Sequence, residues 1–419
     1  MSTPTIRITG GYPLTGTITA SGAKNSVLKL MAAAILAPGS SHISNVPLIS
    51  DVTLMAEVLE YLGASVVFGE HEVSIDTSGV QRHDAPYELV SRMRASTAVL
   101  GPLLGRFGQA RVAMPGGCQI GARKIDQHLL GLEALGVEFE TEHGYIEGTA
   151  AKGLRGATVV LDIPSVGATE NLIMAAATAR GTTRIENAAR EPEIVDLAGF
   201  LTTMGAHIAG AGSPIVEIEG TDRLYPVAGH QTIGDRIEAG TYLAAGALLA
   251  GPLTVRGVDP AHLEAALRKL EEAGVEVSTG PCEVTVSRQR PLKPLTLQTQ
   301  PHPGFPTDLQ AQFMVLAALG GGSSLIIENL FENRFMTAFE LMRMGADIRI
   351  EGHNAFVTGV PALSGAPVQA PDLRGGAALV IAGLAADGYT EVSAIEHIQR
   401  GYEGLVEKLQ AVGAHIEQA

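Results

Sequence analysis

One signature recurs six times along this chain: a helix-like stretch that ends at a glycine flanked by small or aliphatic residues. It reads VLEYLGASV, GLEALGVEF, FLTTMGAHI, KLEEAGVEV, LMRMGADIR and LQAVGAHIE. Its glycines are Gly63, Gly136, Gly205, Gly274, Gly345 and Gly413, spaced 73, 69, 69, 71 and 68 residues apart. This period is longer than the roughly 20–50 residues of ordinary repeat arrays, so each repeat has enough chain to bury a small core of its own. Six equivalent copies also make a built-in comparison. Residues that carry chemistry should stand out as departures from the shared plan.

The third repeat is the clearest. ATVVLDIP reads as a strand, SVGATENLIMAAATA as a helix, TTRIEN as a strand, REPEIVDLAGFLTTMG as a helix, and AHIAGAGS and PIVEIEG as two closing strands. The alternation of strand and helix periods predicts a β-α-β-α-β-β unit of an α/β fold. The first helix of every repeat is apolar on most faces, as in KNSVLKLMAAAILA and DLRGGAALVIAGLAA, and belongs inside a layered core. The sixth repeat reaches AHIEQA without a closing strand, while TIRITGG near the other end resembles the closing strand PIVEIEG. The N-terminal strand is therefore expected to complete the last repeat. Six repeats divide into two domains of three: residues 23–230, and residues 1–22 with 231–419.

Composition narrows the function. A chain of 419 residues with 46% hydrophobic and 17% charged content is globular. Its apolar stretches fall short of the ~20 residues needed to span a bilayer, and MSTPTIRITGG lacks the basic and apolar regions of a signal peptide. Two cysteines, Cys118 and Cys282, make no disulfide framework. A cytoplasmic protein is expected. The formal net charge of −15 argues against nucleic acid and acidic membranes as partners. An anionic small molecule is still admissible, because exposed charges are screened beyond ~8 Å and a local basic cluster can govern one cleft.

The inner helices diverge at their starts: Lys24 and Asn25, Arg94, Ser165, Asp235 and Arg236, Asp308, Asp372 and Arg374. Helix N-termini favour phosphate or carboxylate nearby, and Lys24, Arg94, Arg123, Arg334, Arg374 and Arg400 at helix starts or in the preceding loops strengthen an anion site. The bland alternative is capping. Ser165, Asp235, Asp308 and Asp372 are ordinary N-cap types, whereas Arg and Lys oppose the helix dipole there, which favours a functional reading for the basic set.

Cys118 lies in PGGCQIGARKID, after two glycines and five residues before Arg123. A thiol beside Arg and a helix start gains thiolate character and reactivity. Cys282, without such a motif, is expected to be a small buried hydrophobe. GGYPLTG and GGGSS lack a nucleotide-loop pattern. No metal-ligand spacing is present, so neither a metal nor a cofactor is expected. His42, His230, His262 and His302 are read as structural or exposed, and Glu271–Glu272 as a solvated helix face.

Ten motifs in order, GAKNSVLKL, MRAS, PGGCQIGARKIDQH, PSVGATENL, ENAAREPEIVD, DRIEAGT, PHPGFPTDLQAQ, FENRFM, DLRGGAAL and HIQRGYE, give the chain a full-length resemblance to the UDP-N-acetylglucosamine enolpyruvyl transferases. The resemblance implies two inside-out α/β barrel domains of three repeats each. It also implies a reaction: the 3′-hydroxyl of the sugar nucleotide adds to C2 of phosphoenolpyruvate and phosphate then leaves, committing cells to peptidoglycan synthesis. By residue, it implies that Cys118 is the proton donor and a site of covalent phosphoenolpyruvate adducts and of alkylation by fosfomycin. Asp308 would be the base near the 3′-hydroxyl. Lys24, Asn25, Arg123, Arg374 and Arg400 would hold phosphoenolpyruvate, with Lys24 and Arg400 also catalytic. Asn25, Arg94, Arg123, Lys124, Ile125, Asp126, Gln127, Ser165, Val166, Gly167, Asp308 and Leu330 would contact the sugar nucleotide, with Asp372, Glu332 and Arg334 in support.

Three sites depart from some members of that family. Ser50 and the pair Ile163–Pro164 stand where a lysine can occur, and Lys124 replaces a proline. Substrate-loop contacts are expected to lean more on backbone here. The competing readings are the sister transferase acting on shikimate 3-phosphate, which lacks this cysteine loop, and an inactive repeat scaffold. Neither the oligomeric state nor the number of such enzymes in the host follows from the sequence.

Overall fold

The computed structural model describes residues 4–90, 94–114 and 125–419, with backbone only at 94–96. The recurrent glycine proves to be a backbone requirement. All six sit at φ between 89° and 107°, the left-handed region that costs other residues roughly 1–2 kcal/mol. Each ends the outer helix of its repeat. The N–H that follows it reaches back five residues, as Ala64 to the Leu59 carbonyl (2.9 Å) and Ala206 to that of Leu201 (3.0 Å). This closure satisfies carbonyls that the helix end leaves orphaned.

Each repeat builds a four-stranded sheet on one plan. In the third, Thr158–Val160 runs parallel to Thr182–Glu186, Ile215–Glu219 pairs antiparallel to the latter, and His207–Ala209 forms the edge. Among the described residues all six sheets share this order. Three of them recruit a strand from far away in sequence. Ile6–Thr9 lies between Tyr389–Ser393 and His415–Gln418, in the place that Ile215–Glu219 takes in the third repeat. Gly16–Thr19 is the opening strand beside Leu253–Arg256, and His230–Gln231 is the opening strand beside Ser40–Ser44. The fourth and first repeats have thus exchanged opening strands: His230–Gln231 precedes the helix Arg236–Leu249 in sequence but pairs in the sheet of the first repeat.

The chain forms two compact units, residues 22–233 and residues 4–21 with 234–419, as far as described. Each has its own continuous apolar core. In the second unit the helices Arg236–Leu249, Gln310–Ala318 and Leu373–Ala385 pack on one another, and Gln310–Ala318 is buried along its whole length. In the first, Lys24–Ala33 packs on the turn Arg94–Val99, and Leu100–Phe107 packs on Val166–Ala176. The first helices of the repeats lie inside each unit and the sheets outside, so the strands alternate buried and exposed residues, as Ile215–Glu219 does. Apolar burial on this scale, worth about 25 cal/mol per Å², dominates the folding energy.

Candidate active site

In the first unit, Lys24 opens the helix Lys24–Ala33 without a side-chain cap. Its charge opposes the helix dipole, and the structure compensates with Asp51, whose carboxylate lies 2.6 Å from Lys24 Nζ. Asp51 sits in the first turn of Ser50–Leu62, where a carboxylate is favourable. Both residues are buried. Asn25 is half-buried beside them.

Ser165 caps Val166–Ala176 by accepting from the Ala168 N–H at 3.3 Å. With Val166 and Gly167 it remains half-buried, so all three keep surface for a ligand. Ile125 is half-buried and Asp126 exposed at the start of the helix Asp126–Ala134. Gln127 is buried and engaged: its Nε2 donates to Asp162 Oδ2 (2.9 Å) and its Oε1 accepts from the Asp162 N–H (2.8 Å). Arg94 starts the turn Arg94–Val99. Cys118, Arg123 and Lys124 lie outside the described residues.

The second unit carries a tighter cluster. Asp308 lies in the turn Thr307–Leu309, whose cap position is Pro306, so the aspartate does not cap the following helix. Instead its Oδ1 accepts from Arg334 Nη2 at 2.7 Å, and its Oδ2 lies 3.2 Å from Arg374 Nη2. Both guanidinium groups are buried. The Arg374 guanidinium lies 5.4 Å above the Tyr402 ring. Burial alone would ease its proton off, yet Tyr402, Asp308 and Asp235 together hold its pKa above the usual arginine value.

The other aspartates do cap. Asp372 Oδ1 accepts from the Arg374 and Gly375 N–H groups (2.8 and 3.1 Å), and Asp235 Oδ1 from those of Ile237 and Glu238 (2.8 and 2.9 Å). Of the four candidate caps, Asp308 alone is used otherwise. Leu330 and Glu332 are exposed in the loop before Arg334, and Arg400 is half-buried at the end of the turn Ile395–Arg400.

Sequence reading missed the partners. Asp51, Asp196 and Glu328 hold the sites in shape. Asp196 accepts from Ser26 Oγ and meets His230 Nε2 at 2.8 Å. Glu328, 1% exposed, accepts from Thr307 Oγ1 (2.9 Å) and from the Leu330 and Phe331 N–H groups (2.9 and 3.2 Å). A carboxylate ending the apolar strand Ser323–Ile327 was the available signal. Cys282 is exposed, not buried: it sits in the turn between the strands Glu276–Gly280 and Glu283–Ser287, where neither flanking strand covers it. Among the described residues no cluster of metal-ligating side chains is present and no helix is long and apolar enough to cross a membrane.

A half-buried carboxylate held by two buried arginines and a buried lysine at a helix start suit proton transfer and anion binding. Comparisons with known proteins agree. The profile of the EPSP synthase (3-phosphoshikimate 1-carboxyvinyltransferase) family matches residues 8–409. The chain is 53% identical over 409 residues to a UDP-N-acetylglucosamine 1-carboxyvinyltransferase of Geotalea uraniireducens (strain Rf4), covering 98% of each. It is 51% identical over 411 residues to that of Trichlorobacter lovleyi (strain ATCC BAA-1151 / DSM 17278 / SZ), again covering 98% of each. Its fold matches the crystal structure of the enolpyruvyl transferase NikO from Streptomyces tendae with a TM-score of 0.89 at 29% identity, covering 100% of this chain and 99% of that one. The chain belongs to the EPSP synthase family of enolpyruvyl (1-carboxyvinyl) transferases, in the branch of the UDP-N-acetylglucosamine 1-carboxyvinyltransferases.

Proposed function

We propose that the protein transfers the enolpyruvyl group of phosphoenolpyruvate to the 3′-hydroxyl of UDP-N-acetylglucosamine, as the opening committed step of peptidoglycan synthesis in the cytoplasm. Asp308 takes the hydroxyl proton as the oxygen bonds to C2 of phosphoenolpyruvate, and Cys118 delivers a proton to C3. The resulting tetrahedral ketal then breaks its C2–O bond to phosphate while C3 loses a proton. The double bond is restored and inorganic phosphate leaves. Lys24, Arg123, Arg374 and Arg400 bind the carboxylate and phosphate and stabilise charge that develops on them. Asn25, Arg94, Lys124, Ile125–Gln127, Ser165–Gly167 and Leu330 hold the sugar nucleotide, with Asp372, Glu332 and Arg334 in support.

The observation that carries this reading is the placement of Asp308. It occupies a cap-like position, yet its carboxylate is committed to Arg334 and Arg374 rather than to the helix end. Phosphate release tests it, measured with UDP-N-acetylglucosamine and with shikimate 3-phosphate, for wild type and Cys118→Ala. The reading requires turnover with the first acceptor only, and its loss in the variant. Turnover with shikimate 3-phosphate, or none with either acceptor, overturns it.

A further inference from the structure

Three segments of the first unit carry most of the residues assigned there to the sugar nucleotide: the turn that starts at Arg94, the helix that starts at Asp126, and the helix N-terminus at Ser165–Gly167. One buried side chain touches all three. Asn171, 1% exposed, lies a turn into the helix Val166–Ala176. Its Nδ2 is 3.3 Å from the Thr97 carbonyl, 3.1 Å from His128 Nδ1 and 3.3 Å from the Gly167 carbonyl, and its Oδ1 accepts from the Gly101 N–H at 2.7 Å. Both ends of the amide are used, and a buried amide satisfied in this way specifies one geometry.

The backbones are packed around it. A side chain at Gly101 would meet the Asn171 carbonyl at 2.4 Å, and one at Gly167 would meet the His128 ring at 3.0 Å. His128 is buried too, and burial, with the nearby charge of Lys29, pushes its pKa down to about 4. The ring is therefore neutral near pH 7. Because the Asn171 amide donates to Nδ1, the proton sits on Nε2, the nitrogen turned toward Gly167.

We propose that Asn171 is a positioning residue for sugar-nucleotide binding: its amide locks the Arg94 turn, the Asp126 helix and the Ser165–Gly167 helix start into one register. The proposal rests on the substrate assignment above. Positioning errors of about 1 Å remote from a ligand are enough for large losses of binding or rate.

The test uses the full chain and two variants, with calorimetric titration of UDP-N-acetylglucosamine and steady-state kinetics in both substrates. Asn171→Ala removes every contact. Asn171→Asp keeps the shape and the acceptor for Gly101 but loses the donors to Thr97 and His128, so it decides the matter even if the alanine variant does not fold. We expect at least a tenfold weaker Kd for the sugar nucleotide, with KM for phosphoenolpyruvate at saturating acceptor within twofold of wild type. In Asn171→Asp the His128 ring proton should leave Nε2 or be joined by one on Nδ1, seen in 15N imidazole spectra. If wild type binds UDP-N-acetylglucosamine and the folded variants bind it equally well, or lose both substrates in parallel, the positioning role is wrong while the function stands. If wild type does not bind it, the functional reading fails and takes this proposal with it.

Discussion

Arg334 Nη2 lies 2.7 Å from Asp308 Oδ1, a contact between a loop and a turn 26 residues apart in sequence. Arg374 closes on the other oxygen, so one carboxylate is shared by two buried guanidinium groups and offsets one of their two positive charges. Removing it has two separable consequences. As general base, Asp308 should contribute 10²–10⁴ in kcat, so Asp308→Asn should lose about that much phosphate-release activity. Asp308→Ala also leaves Arg334 and Arg374 without their shared partner. Breaking a fully buried pair costs about 3–5 kcal/mol. Because a quarter of the Asp308 side chain is exposed, we expect about 2 kcal/mol by urea titration. A variant that keeps wild-type kcat would remove Asp308 from the chemistry.

Cys118 should react with the epoxide phosphonate fosfomycin while Cys282 does not. The exposure of Cys282 makes this a test of reactivity rather than of access. An epoxide demands a thiolate, and Cys282 has no Arg or Lys within five residues on its N-terminal side. Peptide mass spectrometry after saturating treatment should find the adduct at Cys118 only. Adducts on both cysteines in proportion would mean that no site directs the reagent.

What the sequence made legible was what the backbone demands locally. The six glycines are visible because a left-handed helix end admits few other residues, and the inner helices because burial on every side leaves no polar face. The closing strand at Ile6–Thr9 has enough alternation to be matched to PIVEIEG, and it pairs beside His415–Gln418. The exchange of opening strands was not legible. His230–Gln231 is two residues long, too short to carry a pattern, and its neighbour is set by the path of the chain. The site divided in the same way. Lys24 and Arg374 were visible as cations at helix starts, but Asp308 had the same local signal as the caps Asp235 and Asp372. Only its tertiary partners, 26 and 66 residues away, distinguish it.

The glycine signature makes a stability prediction free of packing effects at two of its six positions. A methyl group at Gly136 or Gly345 would meet no atom within 4 Å, while φ is 96° and 90° there. Gly136→Ala and Gly345→Ala should each cost about 1 kcal/mol through backbone strain alone, and Asn at either position less, because Asn tolerates the left-handed region. Denaturant midpoints that do not move in either alanine variant would show that the turn is not held in this conformation.

Glu170 should give the protein a pH dependence of unusual sign. It is 1% exposed, one turn into the helix that starts at Val166, with Lys29 Nζ 2.9 Å away and no other donor to its carboxylate among the described residues. Burial pushes its pKa up to about 7; Glu193 and Glu191 add to this, and Lys29 works against it. An acid whose folded pKa is raised holds its proton more tightly in the native state. Its stabilising contribution is thus complete below about pH 4.5 and is lost as pH rises through about 7. The shift corresponds to roughly 3 kcal/mol. Neighbouring His128, with a pKa lowered to about 4, acts in the opposite sense, destabilising the fold as pH falls from about 6.5. Wild-type stability alone therefore hides both effects, and the difference from Glu170→Gln isolates one of them. Urea titrations between pH 4.5 and 7.5 should show the variant gaining on wild type as pH rises. If wild type gains on the variant instead, the ion pair with Lys29 outweighs the burial of Glu170, and the direction assigned here is reversed.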